Sequence, residues 1–148
     1  MITANRYHDF SCGHRVYEHE GACAHLHGHN YRIHFAVAQT ANRLDEVGRV
    51  LDFSVISKVL CQWLEDHWDH KFLVWIRDPW LAPLRALDPN VVAVPFNPTA
   101  EQMGQYLLET VAPPLLNPYG CELHTVVVEE TRKCSATVSL TKGAINHA

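Results

Sequence analysis

The chain has 148 residues, of which 47% are hydrophobic, so it is the size of one ordinary domain spanning residues 1–148 and can bury a core. Its twelve basic and sixteen acidic side chains give a net charge of -4 and form no long run of either sign, which argues against a nucleic-acid-binding surface. We find neither a signal-peptide pattern nor the roughly 20 consecutive apolar residues of a membrane span, so we expect a cytoplasmic protein without membrane partners.

The first part of the chain predicts two strands. Residues 2–12 carry few helix signals, and the period-2 rule places Phe10, Cys12 and His14 on one face, with His14 at the strand's end. A second alternating run begins at His27, and the residues that share its face are His27, His29, Tyr31, Ile33, Phe35 and Val37. Histidine therefore continues an apolar face in this second strand.

Two helices are predicted in the middle of the chain. Asp52 precedes apolar residues at helical spacing, which predicts a helix from about Phe53 to His67. Residues 78–98 contain several prolines and are expected to be irregular. The sequence Thr99-Ala100-Glu101-Gln102 is a capping box that starts a second helix, which we expect to end at Pro113-Pro114.

The last two predicted strands form a hairpin. Leu123 to Glu130 is rich in β-branched residues, and Ser135 to Leu140 alternates again after a short polar break. The resulting order, ββααββ, predicts an α+β domain in which two helices pack on one face of a four-stranded antiparallel sheet.

Three of the eleven histidines form a candidate metal site. In an extended chain His27 and His29 point the same way, and His14 lies at the end of a neighbouring strand. A single histidine more often satisfies hydrogen bonds in a core, but this spacing favours metal binding by all three. Three imidazoles with an open position are typical of catalytic zinc, whereas structural zinc has four ligands.

Cys23 lies four residues before His27 and has two interpretations. The chain has five cysteines without paired spacing, which fits reduced thiols better than disulfides. Cys23 is therefore either a fourth ligand that closes a structural site or a free thiol that the metal activates, and spacing does not separate them. The first interpretation would make the protein a non-catalytic, zinc-stabilised binding module.

Two further places carry polar groups that suit catalysis. In Trp68-Asp69-His70-Lys71 a carboxylate could orient an imidazole for proton transfer, although adjacent residues need not touch and a solvated loop is the simpler interpretation. Glu130 ends a strand on the face of Val126 and Val128, where a carboxylate needs a partner. That partner is a ligand with paired N–H donors or a salt bridge, unless Glu130 is simply an exposed strand end.

Taken together, these residues resemble the 6-pyruvoyltetrahydropterin synthase and 6-carboxytetrahydropterin synthase family, a branch of the tunnelling-fold (T-fold) superfamily. The resemblance spans almost the whole chain and rests on six motifs in order: Phe10-Ser11-Cys12-Gly13-His14-Arg15, Cys23 with His27-Gly28-His29-Asn30-Tyr31, Gly48-Arg49-Val50-Leu51-Asp52-Phe53, Asp69-His70, Asn97-Pro98-Thr99-Ala100-Glu101 and Val128-Glu129-Glu130-Thr131.

The resemblance implies a role for each candidate residue. The zinc ligands are His14, His27 and His29, and the catalytic residues are Cys23, Asp69 and His70. Glu130 binds the pterin ring of 7,8-dihydroneopterin triphosphate, and strand alternation favours it over Glu129. The resemblance also implies trimers that stack into hexamers, with active sites at subunit interfaces.

Two branches of the family differ in their product. The short spacing from Cys23 to His27 resembles the bacterial carboxy branch, which releases acetaldehyde and triphosphate and supplies the queuosine and 7-deazapurine pathway. The alternative is the pyruvoyl branch, which eliminates triphosphate. This chain departs from the family in its 79–95 loop and its 141–148 tail. Metallo-β-lactamase-like and cupin sites are disfavoured, because Tyr31 stands where the first needs an aspartate and residues 31–39 lack the glutamate of the second.

Overall fold

A six-stranded sheet forms the framework of the computed structural model, which describes residues 1–141. The strand order is β4-β3-β1-β2-β5-β6, and the strands are β1 (Ala4–His14), β2 (His27–Gln39), β3 (Phe72–Trp75), β4 (Val92–Val94), β5 (Cys121–Glu129) and β6 (Ser135–Ser139). The α+β class and the four antiparallel strands β1, β2, β5 and β6 are confirmed. Residues 142–148 of the expected tail lie outside the described part.

The predicted strand count of four is wrong by two. Strand β3 pairs in parallel with the end of β1, and β4 pairs in parallel with β3. With four and three residues, both strands are too short for alternation to reveal them. The expected 79–95 loop therefore contains structure of its own, namely helix α3 (Leu81–Leu87) and strand β4.

The two predicted helices are present and each contains a π-helical segment. The first consists of α1 (Phe53–Ile56), a π segment (Ser57–Cys61) and α2 (Gln62–His67), and the Asp52 side chain caps its start. The second consists of α4 (Ala100–Tyr106), a π segment (Leu107–Val111) and α5 (Ala112–Leu116). None of the helices in residues 1–141 is both long and apolar enough to cross a membrane.

The second helix continues past the expected stop at Pro113-Pro114. The π segment ends at Val111, so both prolines occupy the first turn of α5. Proline suits this position because its fixed φ matches that of a helical turn. Leu116 is consequently the last residue of the helix.

The helices cover one face of the sheet and set the position of the site. Thr99 caps α4 by accepting a hydrogen bond from the Gln102 amide at 3.2 Å. Within α4, a Cβ atom on Gly104 would lie 3.0 Å from Val138 and 3.3 Å from Val128, so glycine lets the helix rest directly on β5 and β6. This close contact brings the start of α4 to the end of the sheet where β1 and β2 place their histidines.

Candidate active site

The pairing of β1 with β2 places the three candidate ligands side by side. His14 lies opposite His27 and Cys12 lies opposite His29, so strand alternation directs all three imidazoles to the helix-covered face. The residue between the pair must be small, because a Cβ atom on Gly28 would lie 3.0 Å from the carbonyl oxygen of Cys12. The His-Gly-His sequence therefore combines two ligands with the close strand contact that aligns them.

The three imidazoles form one cluster whose nitrogen atoms lie within 4.8 Å of one another. Nδ1 of His14 donates to the carbonyl oxygen of Pro98, and Nδ1 of His27 donates to that of His25, both at 2.7 Å. When the rings are neutral, the two Nε2 atoms then carry lone pairs, and they face each other at 3.0 Å. Two acceptors at this distance repel each other unless a cation lies between them.

The remaining ligand atom in the cluster is without a partner. Nε2 of His29 is buried and makes no hydrogen bond within residues 1–141, and the nearest carboxylate oxygen, Oε1 of Glu130, is 3.4 Å away. Burial lowers the pKa of His29, while the Glu130 charge opposes this shift and His27 adds to it. Burial also lowers the pKa of His14 to about 4, so this ring is neutral at pH 7. A neutral imidazole with a free lone pair is what a divalent metal ion requires.

These observations fit zinc, which takes imidazole nitrogen readily. The cluster also has the hydrogen bonds that ordinarily orient metal-binding histidines, because Pro98 and His25 fix the Nδ1 atoms of two rings. In the described part of the chain Cys23 does not belong to the cluster. The geometry therefore agrees with three protein ligands and an open position better than with a closed four-ligand site.

Cys23 lies beside the cluster, in a short 3-10 turn (Ala22–Ala24) of the loop between β1 and β2. Its side chain is half-buried and lines a cavity of about 180 Å³ at the start of α4, together with Glu130 and Thr99. The cavity is thus bounded by a thiol on one side and a carboxylate on another.

Glu130 lies on the face expected from alternation. Its Oε2 atom is 3.5 Å from the Tyr31 hydroxyl, which donates to it, and Oε1 is near His29. Among residues 1–141 its ion-pair contact is with His29, whose pKa burial lowers, and no lysine or arginine pairs with Glu130. Glu129 points to the opposite face, where it contacts His34. Of the two glutamates, only Glu130 can bind a ligand in the Cys23 cavity.

Asp69 and His70 form a true pair. Oδ2 of Asp69 is 2.8 Å from Nδ1 of His70, and Oδ1 accepts a hydrogen bond from the Ser11 amide at 3.1 Å. Burial raises the pKa of Asp69, but the hydrogen bonds from His70 and Ser11 outweigh this and lower it overall. The His70 backbone has a positive φ of 57°, and its amide donates to the Ser11 carbonyl at 2.7 Å. This backbone conformation sets the direction in which the His70 imidazole projects from the turn before β3.

Within a single chain, His70 does not line the cavity that Cys23 lines. The His70 side chain is 82% exposed, and it lines a separate cavity of about 590 Å³ with Asp69, Asn30 and Arg132. Sequence reasoning could name both groups but could not reveal that they border different cavities.

Sequence reasoning also left the role of Arg15 unassigned. Its guanidinium is buried and forms a two-bonded ion pair with Asp78, at 2.6 Å and 2.7 Å. The triphosphate of the substrate that the resemblance implies would need cations, and four basic residues lie near the motifs in sequence, namely Arg15, Lys71, Arg132 and Lys133. A buried guanidinium already committed to a carboxylate is not available for that purpose. A local sequence pattern could not predict this ion pair, because Arg15 and Asp78 are 63 residues apart.

Comparisons with known proteins agree on one family. The family model described as "6-pyruvoyl tetrahydropterin synthase" matches residues 3–140. A 6-carboxy-5,6,7,8-tetrahydropterin synthase of Rickettsia conorii is 29% identical over 140 residues, covering 93% of this chain and all of the relative. A probable 6-carboxy-5,6,7,8-tetrahydropterin synthase of Halobacterium salinarum is 34% identical over 133 residues, covering 88% of this chain and 75% of the relative.

Solved structures share the fold. An uncharacterized protein from Wolinella succinogenes superposes with a TM-score of 0.82 at 24% identity, covering 95% of this chain and 98% of the other. A 6-pyruvoyltetrahydropterin synthase from Plasmodium vivax gives a TM-score of 0.69 at 19% identity, covering 95% and 99% of the two chains. At these identities the likeness concerns the fold.

Proposed function

The chain belongs to the 6-pyruvoyl tetrahydropterin synthase family of enzymes, and on that premise we propose that it converts 7,8-dihydroneopterin triphosphate and one water molecule to 6-carboxy-5,6,7,8-tetrahydropterin, acetaldehyde and triphosphate. The observation that carries the proposal is the convergence of three imidazoles beside a cavity that Cys23 and Glu130 line. The cavity thus has a thiol and a carboxylate, and Oε1 of that carboxylate lies 3.4 Å from Nε2 of His29 in the histidine cluster.

Glu130 supplies the recognition of the pterin. The amide and amino edge of the ring presents paired N–H donors, and a carboxylate accepts two such bonds at once. The oxygens of Glu130 have only long contacts, at 3.4 Å to His29 and 3.5 Å to Tyr31, so both can accept from a ligand. The ring is thereby oriented with its side chain toward Cys23.

His14, His27 and His29 would hold the zinc ion, which supplies Lewis acidity to the substrate side chain when bound. Cys23 as thiolate is the base that removes a proton from that side chain. His70, with Asp69 holding its Nδ1, is the partner that returns a proton through Nε2. Cleavage of the side chain and loss of triphosphate follow these proton transfers.

The separation of His70 from Cys23 supports an active site shared between subunits. Each chain would contribute the metal, thiol and ring-binding residues to one site, and Asp69 and His70 to a neighbour's. We therefore propose a homo-oligomer, a trimer or a hexamer of stacked trimers, because closed rotational symmetry repeats such a shared site at every interface.

Two observations support the carboxy branch over the pyruvoyl branch. The curated relatives at 29% and 34% identity both bear the carboxy name, and Cys23 lies four residues before His27 as in bacterial members of that branch. The product would enter the queuosine and 7-deazapurine pathway.

The test is incubation of the zinc-loaded protein with 7,8-dihydroneopterin triphosphate and mass spectrometry of the products. We expect 6-carboxytetrahydropterin with equimolar acetaldehyde. A 6-pyruvoyltetrahydropterin product would place the chain in the other branch, and no pterin turnover by folded, zinc-loaded protein would support the non-catalytic zinc module instead.

A further inference from the structure

The turn that carries Cys23 is fixed through three successive carbonyl oxygens. The Val16 amide donates to Cys23 O at 2.8 Å, Nη1 of Arg15 donates to Ala24 O at 3.1 Å, and Nδ1 of His27 donates to His25 O at 2.7 Å. Arg15 and Val16 directly follow β1, and His27 is the first residue of β2. Each backbone carbonyl from Cys23 to His25 therefore accepts a hydrogen bond that restrains the turn.

Arg15 is the donor that connects this turn to a distant part of the chain. Its Nε and Nη2 atoms donate to the two oxygens of Asp78 at 2.6 Å and 2.7 Å, and the exposed fractions of the two side chains are 7% and 0%. The guanidinium thus uses three of its donors in one plane, two on Asp78 and one on Ala24. A lysine could not reproduce this planar fork.

The segment that holds Arg15 is itself rigidly built. Oδ1 of Asp78 also accepts the Trp80 amide at 2.8 Å, and the Trp80 ring stacks on the guanidinium with its centroid 3.7 Å from Cζ. Asp78 and Trp80 stand immediately before helix α3, at the start of the segment in which the chain departs from its family. This turn covers Arg15 on one side while Ala24 contacts it on another.

We propose that Arg15 is a positioning residue that clamps the Cys23 turn to the Asp78–Trp80 turn, so that residues 78–80 help to set the place and reactivity of the thiol. A displacement of a reacting group by about 1 Å can lower the rate by up to about a hundredfold. A residue that holds the thiol in place is therefore expected to affect the rate. The catalytic part of the inference rests on the proposed function, whereas the effect on the thiol does not.

The first readout is alkylation of Cys23 by iodoacetamide in the full chain, followed peptide by peptide with mass spectrometry. In Arg15→Lys and Asp78→Asn we expect the Cys23 rate to change by about fivefold or more, because thiol reactivity follows its local surroundings. Cys134 is exposed and also lines the Cys23 cavity, but it lies in the β5–β6 turn, so it is the comparison thiol and its rate should change less than that of Cys23. Bound zinc should also stay at the wild-type ratio, since the three histidines are untouched.

The second readout is turnover. We expect kcat to fall about tenfold or more in both variants with KM changed less than about threefold, because the clamp acts on the reacting thiol rather than on ring binding. Arg49→Lys is the matched control, since Arg49 forms an exposed ion pair with Asp45 at 2.9 Å far from the thiol turn in sequence. It should leave both readouts at wild-type values.

Removing one partner of a buried ion pair is destabilising, so Trp80→Leu provides a variant that keeps both charges. Its ring is 43% exposed, and its loss should change the Cys23 rate in the same direction while the protein stays folded. Unchanged Cys23 alkylation in all folded variants, or equal changes at Cys23 and Cys134, would overturn the clamp. Absence of pterin turnover in the wild type would overturn the proposed reaction but leave the alkylation result to decide on the clamp.

Discussion

The Nε2 atoms of His14 and His27 face each other at 3.0 Å, and the Nδ1 atom of each ring donates to a backbone carbonyl oxygen. This relationship fixes the tautomer of both rings and leaves two lone pairs converging on one point. Nε2 of His29, buried and without a hydrogen-bond partner in residues 1–141, completes the set. The strands therefore bring together three imidazole nitrogens that could hold one cation.

The first prediction concerns metal content. His29→Ala should lower bound zinc from about one ion per chain to near zero, because removing one of three ligands leaves too few for tight binding. Cys23→Ala should keep the zinc and lose turnover. Elemental analysis of dialysed protein measures both, and loss of zinc together with folding in Cys23→Ala would make Cys23 a fourth ligand.

Strand alternation made much of this site predictable. Because side chains alternate strictly along a strand, parity placed His27 and His29 on one face and separated Glu130 from Glu129, whereas the position of His14 beside them also depends on the pairing of β1 with β2. The capping pattern likewise placed the start of the second helix at Thr99, which the hydrogen bond to Gln102 bears out. These features depend on residues close in sequence, so a sequence pattern contains them.

Other features depend on tertiary contacts that no local pattern contains. Strands β3 and β4 exist because they pair with the end of β1 and with each other, and the buried pair of Arg15 and Asp78 joins residues 63 positions apart. The second helix passes Pro113 after a π segment that ends at Val111. That Cys23 and His70 line different cavities likewise depends on tertiary structure and not on a local sequence pattern.

The second prediction concerns ring binding. Glu130→Gln should raise KM for 7,8-dihydroneopterin triphosphate by about tenfold to a hundredfold, because hydrogen bonds to a charged group are worth about 1.5–3 kcal/mol each. Glu129→Gln, on the opposite face beside His34, should change KM by less than about threefold. Steady-state kinetics of the two variants decide the register, and the reverse pattern would assign the ring to Glu129.

The third prediction concerns the sharing of active sites. Cys23→Ala and His70→Ala should each be inactive alone, and subunits of the two variants mixed after mild dissociation should regain about a quarter of wild-type turnover, since random pairing reunites intact Cys23 and His70 at about that frequency. The separate cavities of the two residues motivate this expectation. Turnover that stays at background in mixed oligomers, with exchange verified by native mass spectrometry, would place both residues in one subunit's site.

The fourth prediction concerns stability at high pH. Burial, together with the charges of Asp69 and Glu130, raises the pKa of the Cys12 thiol from 9.0 to about 12. Between these values the folded chain keeps a proton that the unfolded chain has lost, so the stabilisation is complete below about pH 9 and is lost as pH rises toward 12. The free energy of unfolding should therefore fall with pH over this range, and Cys12 should contribute at most about 1.4 kcal/mol per pH unit to the slope.

Cys12→Ala removes that ionisation, so its unfolding free energy should decline less steeply than the wild-type value, even if the variant is less stable overall. Urea unfolding at several pH values between 8 and 10.5 measures the slope. Burial also raises the pKa of Cys61 and Cys121, so a residual decline should persist in the variant. Equal slopes for the wild type and Cys12→Ala would show that Cys12 ionises alike in the folded and unfolded chains, because the slope depends only on the difference in bound protons between the two states.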